Sequence, residues 1–137
     1  MDDLSNAKAL LEQEGYTCVL CCDNTIHTSR QRGVQPLMAL LNTDVSGFSA
    51  ADKVVGKATA LLYCLLGIRQ LYANVISDAA IEVLADHKIP VQWDTRVTYI
   101  VNRDGTGRCP MEMATEHISE PALAPDAIRE KLKKLQG

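Results

Sequence analysis

Apolar residues recur along the chain at two spacings, one of the helix and one of the strand. Leu4, Ala7, Leu10 and Leu11 share one face of a helix whose outer face carries Lys8, Glu12 and Gln13, with Gly15 as its stop. Tyr16–Cys22 is a β-rich run, Asp23-Asn24 supplies turn residues and Thr25–Ser29 a return strand, so a hairpin is expected. Gly33 and Pro36 open a short helix through Leu37, Met38, Leu40 and Leu41 that ends near Asn42. The polar stretch Thr43–Asp52, with Ser46-Gly47 inside it, reads as a loop. Gly56–Leu66 has no polar face, which predicts a central helix buried nearly all round and closed by Gly67. Gln70–Ile76 shows little alternation, as in a strand covered on both faces. Ser77 is placed to cap a helix through Ile81, Leu84 and Ala85, with Asp78 in its first turn and His87 in its last. Beyond Lys88-Ile89-Pro90, Val91–Trp93 is a short strand and Val97–Val101 a second extended candidate. Asn102–Gly107 forms a loop, and a short helix starts at Cys109-Pro110. Pro125 opens an amphipathic helix with Ile128, Leu132 and Leu135 inside.

The resulting order, α-β-β-α-α-β-α-β-(β)-α-α, predicts an α/β protein with three layers: a mixed sheet with an N-terminal hairpin, and helices on both faces. In such sheets ligands bind beyond the carboxyl ends of the parallel strands, where helix N-termini gather. The 137 residues suit a single domain, with a core over about residues 5–115 and the amphipathic helix over about 125–136. A hydrophobic content of 47% with 23% charged residues excludes a wholly disordered chain. The net charge of −3, with no basic excess in either half, sets nucleic-acid binding aside. The start is acidic rather than signal-like, and the longest uncharged apolar stretch, Ala58–Ile68, is far short of the ~20 residues that span a bilayer. A soluble cytoplasmic protein, with no membrane partner, is therefore expected. The odd cysteine count of 5 then favours free thiols over a disulfide framework.

The cysteines first suggest metal or redox chemistry. On a strand, however, Cys21 and Cys22 point to opposite faces, and Cys18 and Cys22 lie ~13 Å apart, too far to share one zinc ion. They are expected to be core thiols, as is Cys64 in mid-helix. Gly56-Lys57-Ala58-Thr59 is no nucleoside-triphosphate loop, because Gly47 lies too far upstream and Ala58 stands where Ser or Thr is needed. Free N–H groups at that helix start, with the Lys57 ammonium, could still meet an anion. Cys109 precedes Pro110 and is thus the expected N-cap of its helix, where a helix dipole lowers a thiol pKa. Glu112 would oppose that effect by its charge, and a purely structural cap is the competing reading. The loop after Asn102, with Gly105 and Gly107, would let backbone approach a ligand closely. His27, His87 and His117 show no metal-ligand spacing, and Asp52, Asp78, Asp104 and Glu112 cannot be paired from sequence. No metal or cofactor is expected.

Val55–Tyr63, Tyr72–Ser77, and the stretch from Asn102-Arg103-Asp104-Gly105 through Cys109-Pro110-Met111-Glu112 together resemble a small prokaryotic domain-of-unknown-function family with a cytidine-deaminase-like fold. Zinc deaminases carry His-x-Glu at one central helix start and Pro-Cys-x-x-Cys at the next. Here those starts read Gly56-Lys57-Ala58 and Ser77-Asp78-Ala79-Ala80, so the resemblance implies the fold without its zinc chemistry. It also implies that the starts at Gly56 and Ser77 lie side by side. The leading expectation is a site for a small nucleotide-like or anionic metabolite, with Gly56, Lys57, Thr59, Ser77 and Asn102 as binding residues. The alternative is a cysteine-dependent enzyme or redox sensor using Cys109, with Glu112 or Asp104 assisting. A further alternative is a non-catalytic interaction module, and self-association is expected by analogy with related folds.

Overall fold

In the computed structural model, which describes residues 2–102 and 104–136, the chain runs α1 (Asp3–Glu14), β1 (Cys18–Cys22), β2 (Thr25–Ser29), α2 (Gln35–Ala39), β3 (Ser49–Val55), α3 (Lys57–Leu66), β4 (Gln70–Ser77), α4 (Asp78–Asp86), β5 (Val91–Val97), α5 (Pro110–Ala114), a 3-10 turn (Pro121–Leu123) and α6 (Ala124–Gln136). Met1, Gly137 and Arg103, the last within the loop read from the sequence, lie outside the described residues. The five strands form one mixed sheet in the order β2-β1-β3-β4-β5. The hairpin strand β1 is antiparallel to both β2 and β3, whereas β3, β4 and β5 run parallel.

Helices cover both faces unequally. On one face α1 lies alone, capped by Asp2 accepting from Ser5 N at 2.7 Å and stopped by Gly15 in the left-handed region. Its Leu4, Ala7 and Leu11 pack on Val19, Cys21, Ala51 and Tyr72. The steps from β3 to β4 to β5 advance in one direction, and right-handed crossovers then place α3 and α4 together on the opposite face. That face holds the larger core, built on α3, whose residues Ala58–Tyr63 are all buried. The expectation of a helix enclosed nearly all round is met except at Cys64, which is half-buried, and Leu65, which is exposed.

Three readings of the pattern are corrected. The stretch read as a loop through Asp52 contains β3 from Ser49 onward, and this strand is the centre of the sheet. Its Ala50 and Ala51 are both fully buried, one towards each helical layer; close packing on small side chains, not β-propensity, makes this segment a strand. The strand begun at Val91 runs on to Val97, and beyond it Val101 makes only an isolated bridge to Arg108. Leu135, expected on the inner side of the last helix, is exposed, whereas Ala124 and Ile128 are buried.

Candidate functional site

Three chain segments meet where the parallel strands end. β3 passes into α3 through Gly56, and β4 passes into α4 through Ser77, which caps its helix by accepting from Ala80 N at 3.3 Å. The segment after β5 brings in Ile100. All three are held by a single side chain from α5, Glu112. Its Oε2 accepts from Lys57 N at 3.0 Å and from Ser77 Oγ at 2.7 Å, and its Oε1 accepts from Ile100 N at 2.6 Å. The residue is only 3% exposed. The two helix starts are therefore neighbours, bridged by one carboxyl oxygen.

Gly56 is required by this arrangement. A Cβ at that position would lie 2.9 Å from Glu112 Cγ, closer than side-chain carbons pack, and a tight 3.2 Å from Ile100 Cγ1. The group that approaches this glycine is thus a side chain of the protein itself. Lys57 contributes its backbone N–H to Glu112, while its ammonium turns to the segment just after α5 and donates to Glu116 O at 2.8 Å. Thr59 is buried in the first turn of α3.

The remaining sequence candidates are placed differently. Asn102 organises its own loop, accepting from Thr106 N at 3.0 Å and donating to Thr106 Oγ1 at 3.2 Å. Cys109 precedes α5 as expected, but its half-buried side chain makes no capping hydrogen bond. It joins the cluster through its backbone, donating from N to Ile100 O at 2.7 Å. Glu112 has its three bonds elsewhere, and no hydrogen bond links it to Cys109 among the described residues. The five-residue α5 also offers far less dipole than a long helix. Among the described residues no group of three or more His, Cys, Asp or Glu side chains could hold a metal ion. Zinc does not fit the two helix starts, whose polar groups are the Lys57 amide and the Ser77 hydroxyl.

A second polar cluster escaped the sequence reading. Cys18 of β1 lies opposite Asp52 of β3 in the antiparallel ladder, and Tyr63 of α3 reaches down between them. Tyr63 donates to Asp52 Oδ2 at 2.6 Å, and Cys18 Sγ lies 3.3 Å from the same phenol oxygen. Asp52 Oδ1 also accepts from Val54 N at 3.2 Å. Burial pushes the Asp52 carboxyl up to about 7, against the opposing pull of its hydrogen bonds. Burial and the neighbouring Asp52 also hold the Cys18 thiol and the Tyr63 phenol protonated. A cavity of about 200 Å³ opens beside Cys18, between the hairpin and α2, with Leu20, His27, Ser29, Pro36 and Leu40 in its wall. The signal for this cluster was the pairing of Asp52 with Cys18, which exists only once β3 is recognised as a strand. The other acids resolve plainly: Asp78 pairs with Arg96 at 2.6 Å on the surface, and Asp104 is exposed in its loop.

The family model described as "TM1506: Domain of unknown function (DUF1893)" matches residues 6–132. The crystal structure of a DUF1893 family protein (TM1506) from Thermotoga maritima is similar over 96% of this chain and 89% of that one, with a TM-score of 0.84 and 24% sequence identity. That likeness concerns the fold. No curated protein matches the chain. No helix among the described residues is long and apolar enough to cross a membrane.

Proposed function

The chain belongs to the DUF1893 family, a domain of unknown function, and from that premise we propose that it binds a small anionic or nucleotide-like metabolite where α3 and α4 begin. We read the fold as cytidine-deaminase-like, with its small-molecule position kept and its zinc chemistry lost. The support is the pair of adjacent helix starts at the carboxyl ends of parallel strands, with Gly56-Lys57-Ala58 and Ser77-Asp78-Ala79-Ala80 in place of metal-binding motifs. A metal-activated water, which hydrolytic deamination needs at neutral pH, has no ligands in that residue set.

One observation carries the binding reading. A carboxyl group, Glu112, lies across both helix starts and takes a backbone N–H, a hydroxyl and a second backbone N–H as its donors. Those donors suit any oxyanion, and helix N-termini favour negative charge. Glu112 is then an internal occupant, and a phosphate or carboxylate ligand enters by exchange with it. Calorimetric titration with inorganic phosphate and a panel of nucleoside monophosphates tests this. Removing the occupant in Glu112→Ala should tighten anion binding about tenfold or more, and adding Ser77→Ala should reverse the gain. If folded Glu112→Ala binds none of the panel, the reading is lost and Glu112 is a purely structural tie.

A further inference from the structure

The cavity beside Cys18 has a wall whose hydrogen-bonding character is set from inside the core. Cys18 pairs with Ser29 and Leu20 with His27 across the hairpin, so all four lie on the face that meets α2. Pro36 and Ala39 of α2, with Leu40 just beyond it, close the other side of a space of about 200 Å³. Its lining contains no Asp, Glu, Lys or Arg among the described residues, so an ionised ligand would leave water without gaining a partner.

Behind Cys18 the hydrogens of the buried cluster run in one of two directions. Asp52 Oδ1 is fixed as the acceptor of Val54 N, and Oδ2 faces Tyr63. With Asp52 ionised, Tyr63 spends its only hydrogen on Oδ2, and its oxygen takes the hydrogen of Cys18. The thiol then shows the cavity only sulfur lone pairs. A proton on Oδ2 reverses the chain: Asp52 donates to Tyr63, Tyr63 donates to Cys18 Sγ, and the thiol hydrogen is released into the cavity. Burial keeps Cys18 and Tyr63 protonated, whereas Asp52 titrates at about 7. The other neighbours of Asp52 are the backbone N–H groups of Lys53 and Val54 and, on β4, Ala73. The proton of Asp52 therefore decides the direction.

We infer that this cavity binds a small uncharged molecule of one ring bearing a hydrogen-bond acceptor, which takes its donor from the Cys18 thiol and is admitted when Asp52 holds a proton. An apolar cavity of roughly 150 Å³ holds benzene, so this one suits a ring with a few further atoms. The ring lies against Leu20, Pro36 and Leu40, and its acceptor points to Cys18. The cavity shares no lining residue with the rim at Gly56, Ser77 and Glu112, so failure of either site leaves the other standing.

Nuclear magnetic resonance titration of the Leu20, His27, Ser29 and Leu40 amides tests this with cyclohexanone and pyrazine, and with benzene as a ring without an acceptor. Cyclohexanone and pyrazine should bind about fivefold or more tightly at about pH 5.5 than at about pH 8.5. Benzene should bind equally at both. In Asp52→Asn, the carboxamide keeps Oδ1 on Val54 N and turns Nδ2 to Tyr63 O, so binding of the two acceptors should stay at its acid level throughout. His27 stands in the same wall, and this variant assigns the effect to Asp52. If neither cyclohexanone nor pyrazine moves these amides at about pH 5.5, the inference is overturned. It is equally overturned by a pH dependence that persists in Asp52→Asn, or by one that benzene shares in the parent chain.

Discussion

Asp52 and Glu112 are the two acidic residues buried among the described residues, yet the fold treats them in opposite ways. Asp52 sits within one layer of contact, between a strand partner and the helix above it, and its strongest donor is a neutral phenol. Burial outweighs those bonds, and its carboxyl titrates near neutrality at about 7. Glu112 instead takes two backbone N–H groups and a hydroxyl from segments 12, 35 and 55 residues away along the chain. The contrast shows what kind of donor makes a buried acid useful for what purpose. Backbone N–H groups at strand and helix ends are fixed in direction and otherwise unpaired, so an acid among them becomes a tie, or a stand-in for a ligand. Asp52 stays responsive to protons because its burial outweighs the bonds that favour its charged form.

The largest expected effect comes from breaking the tie. Glu112→Ala should destabilise the protein by about 3 kcal/mol in urea unfolding, because three donors lose their partner in the interior. A loss under 1 kcal/mol, on the scale of an exposed substitution, would show that the two acids do not differ in this respect.

Asp52→Asn sharpens the other half of the comparison. The folded carboxyl titrates at about 7, above its ordinary value of 3.8, so the folded state holds its proton more tightly than the unfolded chain. Its contribution is therefore fully present below pH 4 and is lost as pH rises towards and through 7. Asp52→Asn should remove that part of the pH dependence and be more stable than the parent above neutrality by on the order of 2 kcal/mol. Urea midpoints measured across this pH range should converge in acid and separate in alkali; parallel curves would refute the assignment.

The smallest effect concerns Gly56. Gly56→Ala should cost roughly 1–2 kcal/mol, because its Cβ overlaps the Glu112 side chain. In a Glu112→Ala background most of that cost should vanish, and the double-mutant cycle reads the contact directly. Additive losses would mean that some other neighbour enforces the glycine.

The legibility of the sequence divides along the same line. α1, the hairpin, α3, β4 and α4 announce themselves by periodicity, by Gly15 and Gly67 as stops, and by Ser77 as a cap. These are local signals, and they located the helix starts at Gly56 and Ser77 correctly. β3 has no such signal in Ser49-Ala50-Ala51-Asp52-Lys53, since its small residues matter only through the helices that close on them. Missing β3 also hid the Cys18–Tyr63–Asp52 cluster, which depends on the register between β1 and β3. Glu112 was noticed for its proximity to Cys109 along the chain, but its actual partners lie far off in sequence and could be found only in space.

The position of Glu112 along the chain has a consequence for how the molecule is completed. Every strand of the sheet is already present by Val97, and both crossover helices with it. The group that joins the ends of the parallel strands arrives later, on α5. During synthesis the sheet can therefore be assembled before its carboxyl-terminal rim is fastened, and the short helix that does so acts as a clasp delivered after the strands it joins.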